Sequence, residues 1–126
     1  MENKTIVISP LAHTWVLDFD GTLVVHNGYK HGADRWLPGA LDFLRSIPQG
    51  DYILIVTARE AAARRQTEDF IRAFGVRYDD IKFEMPMGER ILVNDNKPSG
   101  LCCAYSIAVS RNQGLEGVRV RIDENL

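Results

Sequence analysis

Trp15-Val16-Leu17-Asp18-Phe19-Asp20-Gly21-Thr22-Leu23 runs an apolar strand straight into a turn that holds two carboxylates one residue apart. Side chains alternate along an extended strand. Where the chain leaves the sheet and turns at Gly21, however, the Asp18 and Asp20 carboxylates can converge on one small volume. Two negative charges so placed repel unless a divalent cation or a proton lies between them. Oxygen-only ligands suit Mg2+, which keeps several waters and takes substrate phosphate oxygens in its remaining positions. The stretch therefore implies a magnesium-dependent, phosphate-handling site. Asp-Gly is also a common turn dipeptide, and the plainer alternative is a pair of acids that only caps a turn.

Outward from this stretch, strand-like runs alternate with helical patterns, the signature of a mainly parallel sheet covered by helices. Tyr52-Ile53-Leu54-Ile55-Val56 is continuously apolar and ends at Thr57; with Val16-Leu17 it reads as a buried central strand. Between them Pro38 suits a helix start, and Ala40, Phe43, Leu44 and Ile47 recur at helical spacing until Pro48 and Gly50. Thr67, Phe70, Ile71 and Phe74 form the stripe of a second helix, closed by Gly75. Further strands are predicted at Ile81-Lys82-Phe83, Arg90-Ile91-Leu92-Val93, Tyr105-Ser106-Ile107-Ala108-Val109 and, with edge-like alternation, Val118-Arg119-Val120-Arg121-Ile122. The expected fold is α/β, a Rossmann-like three-layer sandwich around a mainly parallel central sheet. Asp18, Thr57 and Asp95 each follow an apolar run, which would bring all three to the C-terminal ends of strands, where open α/β sheets bind ligands.

The chain has 126 residues, enough for one domain (1–126) that buries about two-thirds of its unfolded surface. A formal net charge of -2 gives no electrostatic case for nucleic-acid or membrane binding. Cys102 and Cys103 are adjacent, so a disulfide between them would be strained, and no spaced Cys/His set suggests zinc. The apolar run Thr5-Ile6-Val7-Ile8 is too short for a signal peptide, and no stretch reaches the roughly 20 apolar residues of a membrane helix. A reducing, cytoplasmic setting is the expectation.

Asp18-Phe19-Asp20-Gly21-Thr22 after a hydrophobic strand resembles motif I of the haloacid dehalogenase (HAD) superfamily. Ile55-Val56-Thr57-Ala58-Arg59 resembles its motif II, where a strand-end hydroxyl binds the transferring phosphoryl group; Thr57 could otherwise be the N-cap of the following helix. Leu92-Val93-Asn94-Asp95-Asn96 resembles the acidic motif IV, with Asn94 and Asn96 flanking a single Asp95. The resemblance implies an Mg2+-dependent phosphatase: Asp18 as nucleophile, Asp20 as general acid and then base, and Asp18, Asp20 and Asp95 at the metal. Gly21, Thr22, Ala58, Arg59 and His26 become the candidate substrate contacts. The family's usual Lys before motif IV is replaced by Met85, so Lys97 is the first candidate for the positive charge beside phosphate, with Lys82 and Arg90 behind it.

Val24 to Leu37 is long enough only for a flap, so the enzyme implied is capless. A second copy of the chain could act as a lid. The flap residues His26, Asn27, Tyr29, Lys30, His31 and Arg35 suit a hydrophilic leaving group, a sugar phosphate or nucleotide. Some short members of the superfamily act in surface-polysaccharide biosynthesis. The alternatives are a phosphotransferase or mutase, which needs more shelter from water than a flap provides, a degenerate HAD-like binding protein, and a phospho-accepting signalling module. That last layout carries its phosphorylated Asp on a later strand.

Overall fold

Isoleucine, leucine and valine side chains fill both faces of a pleated strand, and Tyr52–Val56 is accordingly the middle strand of the main sheet, with Ile53 and Ile55 fully buried. The computed structural model of the chain describes residues 3–126. Among them the order is β1 (Lys4–Ile8), β2 (Thr14–Asp18), α1 (Ala40–Ser46), β3 (Tyr52–Val56), α2 (Arg64–Ala73), β4 (Asp80–Lys82) and β5 (Val118–Ile122), with 3-10 turns at Gly28–His31 and Ala61–Ala63. The architecture is mixed α/β with parallel strands. No helix among the described residues is long and apolar enough to cross a membrane.

The strands form two open sheets, where the sequence pattern predicts one. β2, β3 and β4 pair in that order, and β1 pairs with β5; every pairing is parallel. The run Thr5-Ile6-Val7-Ile8, which the sequence pattern does not mark as a strand, lies within β1. β2 is an edge strand and not the buried central one expected, and Val16 remains 50% exposed on it. The strands expected at Arg90–Val93 and Tyr105–Val109 are irregular; Ile91 is 86% and Val93 91% exposed. The cause is local. The Asn94 side-chain amide donates to the Cys103 carbonyl, Cys103 N–H donates to Asn96 Oδ1, and Lys97 N–H donates to the Leu101 carbonyl. Asn side chains that bond nearby backbone offer it an alternative to a strand ladder, and residues 94–103 fold back on themselves. Both cysteines are free.

The helices follow their sequence signals. α2 buries Thr67 and Ile71 and ends before Gly75, which takes φ 67°. α1 starts one residue after Gly39, whose left-handed φ of 79° brings it so close to Glu116 that a Cβ would lie 2.7 Å from the Glu116 nitrogen. One apolar cluster runs through Leu17, Phe19, Leu44, Ile53, Ile71 and Leu115, so residues from both ends of the described chain share a core.

β2 and β3 are tied at their starts by Asp51, which is buried and accepts from His13 N–H (3.0 Å) and Trp15 Nε1–H (2.9 Å). Burial pushes its carboxyl up, but the hydrogen bonds from Trp15 and His13 outweigh that and hold it below the ordinary range. A folded-state value below the unfolded one contributes stability that is complete above about pH 4 and lost as pH falls through the folded value. Asp51→Asn is expected to cost about 1–2 kcal/mol at pH 6. In urea titrations from pH 6 to pH 2.5 it should also lose stability less steeply than wild type; parallel curves would show that Asp51 does not carry this acid dependence.

Candidate functional site

Asp18 is the last residue of β2 and pairs in register with Val56, the last of β3. Thr57 follows immediately, so Asp18 and Thr57 share the C-terminal edge of the parallel sheet. Beyond β2, the N–H groups of Thr22, Leu23 and Val24 all donate to the Phe19 carbonyl, and Gly21 N–H donates to the Val24 carbonyl. This closed turn presents both acids on one side while Phe19 is buried beneath. The Thr22 hydroxyl donates to Asp18 Oδ2 at 3.1 Å. Thr22 thus orients the first acid, and Gly21 has its N–H already occupied. Burial raises the Asp18 carboxyl above its ordinary value; the Thr22 hydrogen bond and the Arg90 charge oppose this, and Asp20 adds a smaller upward push.

The second acid is held much more tightly. Asp20 accepts from the Thr57 hydroxyl (3.1 Å) and from Arg59 Nε (3.0 Å) and Nη2 (2.8 Å). Arg59 is only 3% exposed. Its Nη2 also donates to Asp34 Oδ1 (2.7 Å), and its Nη1 donates to Asp34 Oδ2 (3.0 Å) and to the Thr67 hydroxyl (2.8 Å). These contacts satisfy all five guanidinium donors. The faces of the guanidinium are covered as well, by Phe19 (4.7 Å to the ring centre) and Tyr29 (3.9 Å). Arg59 is therefore neither a solvated helix-start arginine nor a free substrate contact. It ties motif I, the flap and α2 together. Thr57 is not the N-cap of α2, which begins at Arg64; its hydroxyl accepts from Arg59 N–H and donates to Asp20.

The flap is anchored at its base as well. Val24 and Trp36 form an antiparallel bridge, Val25 N–H donates to the Arg35 carbonyl, and Trp36 stacks on Phe70 of α2 at 5.1 Å between ring centres. Among the described residues its only helical element is the turn Gly28–His31.

A cleft of about 500 Å³ opens at this edge, lined by both acids, His26, Asn27, Tyr29 and Lys30 of the flap, Ala58, Arg59 and Glu60, Met87, Gly88 and Arg90, and Arg111. That volume lies in the range of small-molecule sites. His31 and Arg35 do not line it. A smaller hollow of about 320 Å³ near Lys4 and Val118 contains no acid.

Of the three candidates for the positive charge, the structure brings Arg90 to the acid, with Nη2 3.7 Å from Asp18 Oδ1. The Pro86 and Gly88 carbonyls accept from Arg90 Nη1 at 2.7 and 2.9 Å and brace it there. Lys82 pairs with Asp80 at 3.2 Å, and Lys97 is exposed on the Asn-rich loop, outside the cleft lining. Asp95 shares that loop, because the strand that would have carried it to the sheet edge does not form. Among the described residues no three His, Cys, Asp or Glu side chains gather as a metal donor set. Two hard oxygens nevertheless suit Mg2+, namely the Asp18 carboxylate and the Asp20 main-chain carbonyl, to which no backbone N–H donates among the described residues.

Two contributors escape the sequence pattern. Asp34 sits in a flap of ordinary polar composition, and nothing about its spacing marks it as the second partner of Arg59. Arg111 lies some ninety residues from motif I. Its turn is pinned there by Asn112, whose N–H donates to the Gly21 carbonyl (2.9 Å) and whose Oδ1 accepts from His26 N–H (2.8 Å). Turn-forming composition in Ser110-Arg111-Asn112-Gln113-Gly114 marks a turn but not what the turn touches. Comparison with known proteins returns no matching protein-family model, no matching curated protein and no matching solved structure.

Proposed function

We propose that the chain is a magnesium-dependent phosphomonoester hydrolase of the HAD type, acting on a small phosphorylated metabolite such as a sugar phosphate or nucleotide. The observation that carries this reading is the pair Asp18 and Asp20, delivered by one turn to the C-terminal edge of a parallel sheet, inside a cleft that also holds Arg90. In the reaction an Asp18 oxygen attacks phosphorus, the bond to the leaving oxygen breaks, and Asp20 gives that oxygen its proton. Water then attacks the aspartyl-phosphate, Asp20 takes the water's proton, and phosphate departs. Arg90 offsets charge on the phosphoryl oxygens as the dianion nears the carboxylate. Arg59 keeps Asp20 in one orientation through both halves. Mg2+, held by the Asp18 carboxylate and the Asp20 carbonyl, would add further charge compensation at the phosphoryl oxygens.

The reading includes the Rossmann-like layering, for which the free β2 edge and the unpaired run Ile91-Leu92-Val93 are the parts left to join. An extended segment 90–95 that carried Asp95 to Asp18 would move Arg90 back by about 16 Å, at the rise of a strand. Asp95 at the metal and Arg90 at the phosphate are therefore exclusive arrangements, and the second is the one assigned here.

A second reading, a catalytically degenerate HAD-like binding protein, is favoured by one observation: both Asp20 oxygens already accept hydrogen bonds. Phosphate release from an aryl phosphate and a panel of sugar phosphates and nucleotides, with and without Mg2+, separates the two. Magnesium-dependent turnover supports the hydrolase. Ligand binding by calorimetry with no release from any compound would leave the binding protein.

A further inference from the structure

The cations of the cleft are not all accounted for by the reaction. Arg59 is committed to Asp20 and Asp34, and Arg90 stands at Asp18. Lys30 and Arg111 also line the cleft, both are exposed, and neither forms an ion pair among the described residues. They approach from opposite ends of the sequence. Lys30 stands on the flap turn, with its ammonium 5.8 Å from the Tyr29 ring centre, and Tyr29 is itself seated on Arg59. Arg111 is carried by the turn that Asn112 clasps to Gly21 and His26, and its side chain runs across the motif I turn, so that a Cβ on Gly21 would meet Arg111 Cγ at 3.1 Å. Two cations on independently anchored supports thus line the cleft unpaired, and among the described residues the one other unpaired charge in the lining is Glu60.

We infer that the substrate of this cleft carries a second anionic group, a further phosphate or a carboxylate, besides the phosphate that is cleaved, and that Lys30 and Arg111 bind it. This rests on the phosphatase reading and narrows its substrate class: neutral-tailed monophosphates lack the group that this cationic rim recognises. Hydrogen bonds to charged partners are the strong ones, and Arg can grip phosphate or carboxylate with two parallel donors. The group lies on the part of the substrate leaving with the ester oxygen or attached to it, so it sets affinity and not the chemical step.

The test compares matched pairs: fructose 6-phosphate with fructose 1,6-bisphosphate for a second phosphate, and glycerol 3-phosphate with 3-phosphoglycerate for a carboxylate. The wild-type protein is expected to favour the doubly anionic member of at least one pair by about tenfold or more in KM. That preference should shrink at high salt. In the Lys30→Gln/Arg111→Gln protein the preference collapses toward unity while kcat changes by much less. Equal KM values within both pairs for wild type would overturn the inference. So would an equal loss of kcat on every substrate in the double variant, which would put these cations on the reacting phosphoryl group. Calorimetric binding of the same pairs to the Asp18→Asn protein, which lacks the nucleophile, reads the rim without turnover. A lost preference there refutes the rim, whereas a retained preference with no turnover by wild type refutes only the phosphatase.

Discussion

Arg59→Leu is expected to destabilise the chain by about 3–5 kcal/mol, measured by urea unfolding at neutral pH. The magnitude follows from what is left behind. Asp34 has a side chain 1% exposed and Asp20 one 15% exposed, and in the variant both lose the cation that justifies their burial. Removing one partner of a buried ion pair leaves an uncompensated charge, and that is the expensive case. A solvated or substrate-facing arginine would cost less than about 1 kcal/mol, because exposed pairs contribute little. Since a small domain has only about 5–15 kcal/mol in hand, the variant should lie near the limit of folding. Arg59→Lys should not restore stability, because an ammonium cannot serve two carboxylates and a hydroxyl in one plane while filling the gap between Phe19 and Tyr29. The control is Arg59→Leu/Asp34→Leu. If the network is as described, the double variant is less damaged than the sum of its parts. Strict additivity would sink the account.

Asp18→Asn is expected to lower magnesium-dependent phosphate release by about a thousandfold or more, because it keeps the side chain's shape and removes the attacking oxygen. Stability should move the other way or not at all. The Asp18 carboxyl is raised in the folded state, chiefly by burial. A raised group contributes stability below its unfolded value and loses it as pH rises through the folded value, so at pH 7 the ionised acid is only a slight burden on the fold, its side chain being 42% exposed to screening solvent. An amide lifts that burden, and the variant should melt no lower than wild type. Loss of activity with retained melting temperature separates the nucleophile from a structural acid. A variant that keeps wild-type turnover would remove Asp18 from the chemistry altogether.

The parts legible in the sequence are those whose causes are local. β3 follows from five consecutive strand formers, α2 from the spacing of Thr67 and Ile71 and the stop at Gly75, and the motif I turn from the order Asp18, Asp20, Gly21. The strands that the pattern predicts at 90–93 and 105–109 do not form, because Ile91-Leu92-Val93 and Ile107-Ala108-Val109 have strand composition with no partner encoded nearby. The amides of Asn94 and Asn96 then bond their own loop, and strand propensity alone does not oppose that. The same failure put Asp95 and Lys97 in the site and left Arg90 a secondary candidate. The strand end at Val56-Thr57 marks the position of Arg59, but its burial depends on Asp34, and a pairing across twenty-five residues has no periodic signature. Arg111 had no signal at all, since its place follows from the contact between Asn112 and Gly21.

That clasp has a consequence for the order in which the protein is made. The carboxylate turn is complete once Val24 has been translated, but the residues that close over it arrive some ninety codons later, a delay of about 4–18 s at ordinary rates of elongation. A nascent chain held for that time at the ribosome carries the acids, the strand behind them and, midway, the arginine that fixes Asp20. It does not yet carry the turn that brings Arg111 over Gly21, nor the last strand that pairs with the first. Asp18 and Asp20 are therefore present long before Arg111, and the cleft as described is complete only after residue 111 has been added.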